Sequence, residues 1–266
     1  MEMRTVLEAL LCANMRALEL TFRRPRALRP YLSHCVRKYE ELAEHGLAAR
    51  GPVTPPANLT ITLPAAHSGG GMSFAELVVL ARVTKTLSPK TVFEMGTYNG
   101  LTTAVFILNT DPEARIFTLD LPVESLAAQA SLTTDQELVK DRNLGLVPQA
   151  LGLGRYTQLL ADSMTFDPSP YLDSVDLGFV DAAHDLEHVR NDTIKMARMM
   201  NQHGMIFWHD YGGKGTFRPL TEYLEGLARL CPIYRVPETS LAWAPALDLK
   251  VALASGQLEA ASKLNR

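Results

Sequence analysis

The chain has 266 residues, 47% of them hydrophobic, with a net charge of −3 and a pI of about 6.2. That is ample material for one large domain or a domain with an appendage, and it excludes a chain-wide basic footprint for nucleic acid. Three scattered cysteines, Cys12, Cys35 and Cys231, without a C-x-x-C pair, exclude a disulfide framework or a cysteine zinc site and point to a reducing, cytoplasmic setting.

Glu2, Glu8 and Arg16 interrupt the apolar start of the chain, so it does not read as a signal peptide, and nowhere do about 18 apolar residues run together to suggest a membrane span. Met1 to about Ala49 is expected to be helical. Val6, Leu10 and Leu11 recur at helical spacing, and a second segment runs through Val36, Tyr39 and Leu42. This extension, residues 1–50, is expected to cover substrate or to join copies of the chain into a homo-oligomer. Its basic residues Arg23, Arg24, Arg26, Arg29, Arg37 and Lys38 read as a solvated face or an oligomer contact.

Residues 51–72 form a connector rich in proline and glycine. The main domain is expected over 73–266, opened by a capping box at Ser73-Phe74-Ala75-Glu76. Phe74, Leu77, Val78 and Ala81 share one face of the helix that follows, which should stop near Ser88-Pro89.

Short apolar runs then alternate with helical stretches. Thr91–Gly96, Arg115–Leu121, Tyr156–Asp162, Asp176–Asp181 and Gly204–Asp210 read as buried strands, with helices at Leu101–Leu108 and Leu186–Met200 between them. In the second of these helices, Leu186 and Val189 are expected to face the sheet. The alternation implies an α/β, doubly wound Rossmann-like sheet, mostly parallel and covered on both faces. After a helix around Leu220–Leu230, Ile233–Val236 and the apolar runs beyond it read as closing strands, an antiparallel pair.

Ligands of such a sheet bind outside the carboxyl ends of the strands, where strand order reverses. Here every strand end is polar. The first gives Glu94-Met95-Gly96, followed by Thr97-Tyr98-Asn99-Gly100-Leu101-Thr102; the others give Asp120, Asp162-Ser163, Asp181 and His209-Asp210-Tyr211. One strand-end acid is often a helix cap; a polar group at all five suggests a lined crevice. Tyr98 stands where a dinucleotide site prefers its middle glycine, which weakens a nicotinamide oxidoreductase reading, and no Walker-type loop is present.

The stretch from Glu94 to Thr102 resembles the first motif of class I S-adenosylmethionine-dependent methyltransferases, in the form found in catechol and caffeoyl-CoA O-methyltransferases. FVDAAH and HDY resemble a group acting on sugars and natural products. The resemblance spans about Ser73 to Arg235 and implies a seven-stranded sheet with an antiparallel last strand. It implies S-adenosylmethionine as cofactor and a hydroxyl of a small-molecule acceptor as the methylated group. In that reading Glu94 faces the methionine ammonium, and Gly96, Thr97, Tyr98, Gly100 and Thr102 shape the loop beneath the ligand. Asp120 holds the ribose hydroxyls, Asp162 and Ser163 lie beside the adenine, and Asp181 sits between cofactor and acceptor. Related enzymes bind Mg²⁺ at this end of the sheet, which makes Asp181 and Asp210 candidate ligands, although His209-Asp210-Tyr211 departs from the usual Asp-Asn or Asp-Asp pair.

An acceptor hydroxyl must lose its proton, and imidazole titrates near neutral pH, so His184 and His209 are the candidate bases. Two rivals remain: a binding protein that keeps the pocket without turnover, and a zinc hydrolase using His184, Glu187 and His188 of HDLEH. The hydrolase needs both histidines on one helical face, yet His184 comes only three residues after the strand-end Asp181. The segment Val123–Arg155 is expected to complete the cover over the acceptor.

Overall fold

The computed structural model describes residues 46–64, 71–122, 143–213 and 217–255. The expected N-terminal helices, the basic stretch from Arg23 to Lys38 and most of the Val123–Arg155 cover lie outside the described residues.

Strand β1 is Ala48–Ala49, followed by helix α1 (Phe74–Leu87), β2 (Thr91–Met95), α2 (Leu101–Asn109) and β3 (Arg115–Asp120). Then come α3 (Leu146–Ala150), β4 (Thr157–Leu160), β5 (Val175–Val180), α4 (Leu186–Met199) and β6 (Met200–Trp208). Helix α5 (Arg218–Leu227), β7 (Tyr234–Arg235), β8 (Ala242–Pro245) and α6 (Ala246–Ala254) complete the chain as described.

The capping box forms as predicted. Ser73 Oγ accepts from Glu76 N at 3.3 Å, and Glu76 Oε2 accepts from Ser73 N at 2.7 Å. Helix α1 ends at Ser88, whose left-handed φ of 47° turns the chain just ahead of Pro89, a residue that cannot extend a helix. The buried face is rotated from the predicted one: Glu76, Leu77, Leu80, Ala81, Val83 and Thr84 are buried, while Phe74 and Val78 are half-buried.

The eight strands lie in the order β1-β7-β8-β6-β5-β2-β3-β4. All pairings are parallel except the two made by β8, with β6 and with β7. Strand order reverses between β2 and β5, so the crevice lies at the carboxyl ends of those two strands. Apolar side chains of the central strands alternate between two cores. Phe93, Met95, Val180, Ile206 and Trp208 pack on the side of α4, α5 and α6; Val92, Leu177, Phe179 and Phe207 pack on the side of α1 and α2. The result is a three-layer sandwich in which the central parallel strands β2 and β5 are covered on both faces, as their apolar runs anticipate.

Three expectations need correction. Ala48–Ala49 is not helical but pairs with β7 as an eighth strand, one more than the resemblance implied. Residues 246–254 form α6 rather than a closing strand, because Pro245 starts a helix and only Ala246, Leu249 and Ala252 of it are buried. Leu186 is 41% exposed: it is the first residue of α4 and has not yet reached the sheet, whereas Val189 is fully buried. Within the connector, Thr62 N donates to Asn109 Oδ1 and Asn109 Nδ2 returns the bond to Thr62 O, fastening it to α2.

Candidate active site

Strand β2 brings Glu94 and Gly96 to the switch point. Gly96 N donates to Leu119 O at 2.8 Å, then the chain turns with a φ of 99°. A Cβ at Gly96 would lie 2.1 Å from Asp181 O, so the loop crosses directly over the backbone at the end of β5. Tyr98 also holds a left-handed φ, 47°, a conformation rare for a bulky residue. Two bonds steady it: Tyr98 N donates to Asp120 Oδ2 at 2.9 Å, and Tyr98 O accepts from Gly145 N at 3.0 Å. Thr97 N donates to the same Asp120 oxygen at 2.9 Å, and Leu121 N to the other at 2.7 Å. Asp120 therefore fixes the loop through both of its carboxylate oxygens. Thr102 is buried in the first turn of α2.

Beneath the loop, Glu94 is 1% exposed and accepts from the Thr103 hydroxyl at 2.5 Å. Burial pushes its pKa up to about 8, the nearby charges of Asp181 and Asp120 adding to the rise against hydrogen bonds from Thr103 and Thr118. At the end of β4, Asp162 Oδ1 accepts from Met164 N at 2.8 Å, which shapes the turn. Ser163 is buried, and its carbonyl accepts from Asn191 Nδ2 at 2.9 Å and Lys195 Nζ at 2.6 Å, tying that turn to α4.

The ends of β5 and β6 bring two acids and two histidines together. His209 Nδ1 lies 3.2 Å from Asp181 Oδ1 and 3.3 Å from Asp210 Oδ2. His184 Nε2 lies 3.1 Å from Asp210 Oδ2 and 3.9 Å from Asp181 Oδ1, its ring edge-on to Phe217. On its far side, His209 Nε2 lies 3.4 Å from Glu76 Oε2. Burial alone would lower the His209 pKa, but Asp210, Asp181 and Glu76 together hold it well above the ordinary value. Asp210 is held far below the usual carboxylate range: burial opposes this, and the His209 charge with hydrogen bonds from both histidines prevails. Its φ of 63° is left-handed, which an aspartate tolerates better than most side chains.

Donor atoms of Asp181, His184 and Asp210 lie within 4.8 Å of one another, a grouping able to hold a metal ion. The predicted pair Asp181 and Asp210 thus does converge, with His184 as a third donor. The HDLEH motif, by contrast, is split. His184 precedes α4 and points to Asp210, whereas His188 lies inside the helix with Nδ1 2.7 Å from Asp185 Oδ2. Asp185 is the N-cap of α4, accepting from Glu187 N and His188 N. The two histidines face different carboxylates and do not lie on one helical face, the arrangement that the hydrolase reading needs. A residue of this cluster that the sequence pointed to only as a helix cap is Glu76: the capping box explains its two bonds with Ser73 but not its approach to His209 or its bonds from Ser240.

Comparison with known proteins places this geometry. A family model described as "Methyltransferase domain" matches residues 93–211, from β2 to just past Asp210. No curated protein matches the chain. Among solved structures, SAH-bound methyltransferase PaMTH1 from Podospora anserina aligns over 65% of this chain and 78% of its own, with 15% identity and a TM-score of 0.50. Cofactor-bound Rv0187 from MTB aligns over 82% and 90%, with 16% identity and a TM-score of 0.48. The O-methyltransferase TomG from Streptomyces achromogenes, involved in tomaymycin synthesis and solved in complex with SAM, covers 65% and 79%, with 13% identity and a TM-score of 0.44. At such identities the likeness to PaMTH1 speaks for the fold. The family model covers less than half of the chain, but over the residues that form the crevice: there the chain is similar to methyltransferase domains, and it resembles the class I S-adenosylmethionine-dependent methyltransferases.

Proposed function

We propose that the protein transfers a methyl group from S-adenosylmethionine to a hydroxyl of a small molecule, a sugar, phenol or natural product. The observation that carries this reading is the loop Gly96–Gly100 at the strand-order reversal, pinned by Asp120 over the buried Glu94. Glu94 faces the methionine ammonium, Asp120 the ribose hydroxyls, and Asp162 the adenine amino group, while Asp181 stands between donor and acceptor.

Methyl transfer from a sulfonium is an in-line displacement: the C–S bond breaks as the C–O bond forms, and a neutral thioether leaves. The protein's main task is to align the two reactants. The acceptor proton passes to the cluster at the ends of β5 and β6. His209 is poorly suited to take it, because each of its ring nitrogens faces a carboxylate. His184 is the better base.

The donor set of Asp181, His184 and Asp210 suits a divalent cation that accepts nitrogen beside oxygen, such as Mn²⁺, more than Mg²⁺, which favours oxygen alone. A cation held there would polarise the acceptor hydroxyl and ease its ionisation. His184 would then serve as ligand rather than base.

Calorimetry with S-adenosylmethionine, S-adenosylhomocysteine and NAD tests the proposal. Binding of the first two and not of NAD is expected; no binding of either at millimolar concentration sinks it. Asp120→Ala is expected to weaken S-adenosylhomocysteine by about 30-fold, roughly 2 kcal/mol, the scale of a hydrogen bond to a charged acceptor. Unchanged affinity would remove Asp120 from the ribose site.

A further inference from the structure

Glu76 is 2% exposed, far more buried than a helix-capping carboxylate needs to be. Its two oxygens gather groups from three separate parts of the chain. Oε2 accepts from Ser73 N at 2.7 Å and faces His209 Nε2 at 3.4 Å. Oε1 accepts from Ser240 N at 2.8 Å and Ser240 Oγ at 2.6 Å, at the turn that leads into β8. An ionised carboxylate accepts at both oxygens, about four lone pairs in all, and so matches four donors; an amide would present N–H groups to two of them.

The consequence falls on His209. Its ring is gripped at both ends, by Glu76 on one side and by Asp181 and Asp210 on the other. His209 is also continuous with the sheet, since its N–H donates to Val180 O at 3.2 Å. The ring thereby becomes a strut between the buried N-terminus of α1 and the two acids at the crevice.

We infer that Glu76 is a positioning residue for the Asp181–His184–Asp210 cluster, acting through His209, whose Nδ1 sets how both carboxylates are presented to a divalent cation. The inference deepens the cation reading given above and rests on it. Outer hydrogen bonds of this kind hold ligands in place and tune their affinity.

The test uses the full chain, stripped with a chelator and titrated with Mn²⁺ while free Mn²⁺ is followed by electron paramagnetic resonance. S-adenosylhomocysteine affinity and thermal midpoint are measured on the same samples. Glu76→Gln is expected to weaken Mn²⁺ by about ten- to a hundredfold and to leave S-adenosylhomocysteine affinity unchanged. His209→Ala should weaken Mn²⁺ similarly, and the double variant should be no weaker than His209→Ala alone, because the two residues act in series. Ser73→Ala removes the other half of the capping box; it should lower the thermal midpoint and leave Mn²⁺ affinity intact.

Wild-type Mn²⁺ affinity in Glu76→Gln, or additive losses in the double variant, overturns the inference and leaves the methyl-transfer proposal standing. A wild-type chain that ignores millimolar Mn²⁺ overturns the cation reading and this inference together, while the S-adenosylhomocysteine arm still reports on the donor site. Should Glu76→Gln not fold, Ser240→Ala takes its place, since it strips one donor from the carboxylate and keeps its charge. A smaller loss of Mn²⁺ affinity is expected there, and no loss overturns the inference.

Discussion

Gly96→Ala is expected to be the most damaging single substitution in the crevice. The added Cβ would meet Asp181 O at 2.1 Å, Asp181 C at 2.5 Å and Ala182 Cα at 2.9 Å, all of them backbone atoms. No side chain can swing aside, so either β2 and β5 part at their ends or the loop lifts away. The left-handed φ of 99° adds strain of about 1–2 kcal/mol for any L side chain, and overpacking against fixed neighbours adds about 1–3 kcal/mol. A loss of about 2–5 kcal/mol is a large part of an ordinary domain's stability. Gly100→Ala is the informative contrast. Its φ of 78° is also left-handed, but its Cβ would meet nothing closer than Pro148 Cδ at 2.7 Å, with the backbone Gly145 Cα at 3.1 Å, so the overlap is milder. Urea melts should show a clearly larger drop for Gly96→Ala, and any of it that folds should fail to bind S-adenosylhomocysteine. A Gly96→Ala protein with a wild-type midpoint would mean that the loop does not pass over Asp181 as described.

The second large effect concerns pH. Glu94 has its pKa raised from 4.5 to about 8, chiefly by burial. Between those values the folded chain holds a proton that the unfolded chain has released. Stability is therefore greatest below about pH 4.5 as far as this group is concerned, falls as pH rises, and levels off above about 8. The full swing is on the order of 5 kcal/mol, and Glu94→Gln should abolish that part of the slope and leave the protein more stable at pH 8. Ligand binding should run the other way. A methionine ammonium beside Glu94 favours the ionised carboxylate, so S-adenosylmethionine affinity should climb by up to about tenfold per pH unit from pH 6 towards 8. The climb should end as the ligand's own ammonium begins to titrate, near the ordinary α-amino range of about 8. Calorimetry across this range, in wild type and Glu94→Gln, decides the matter. A wild-type affinity that does not vary with pH would show that Glu94 is not the ammonium's partner.

What could be read from the sequence was whatever repeats locally. The parallel strands announced themselves because a strand buried on both faces must be apolar throughout, and Thr91–Met95 is buried at every position. The crevice residues were legible for a related reason: each lies at the end of a strand or just beyond it. The remainder was hidden by distance or by brevity. A two-residue strand such as Ala48–Ala49 has no period to detect and exists only because β7 offers an edge. Helix α6 carries exposed Leu247 and Val251 opposite buried Ala246 and Leu249, so apolar residues on both sides masked its helical spacing. Glu76 is the sharpest case. Its cap lies three residues away, but its other partners, His209 and Ser240, lie 133 and 164 residues along the chain. Nothing local in Ser73–Glu76 could announce them.

One further bond links the crevice to the start of the described chain. Tyr211, the next residue after Asp210, is fully buried; its hydroxyl accepts from Leu47 N at 3.1 Å and donates to Glu225 Oε1 at 3.1 Å, which also receives Gly46 N at 3.0 Å. The stretch His209-Asp210-Tyr211 is thus moored at one end in the sheet and at the other to residues 46 and 47. Pulling on the chain ahead of residue 46 would be felt at Asp210 within two residues of the anchor. Whatever position the first 45 residues adopt, their point of attachment is mechanically in line with the acids that would meet the acceptor.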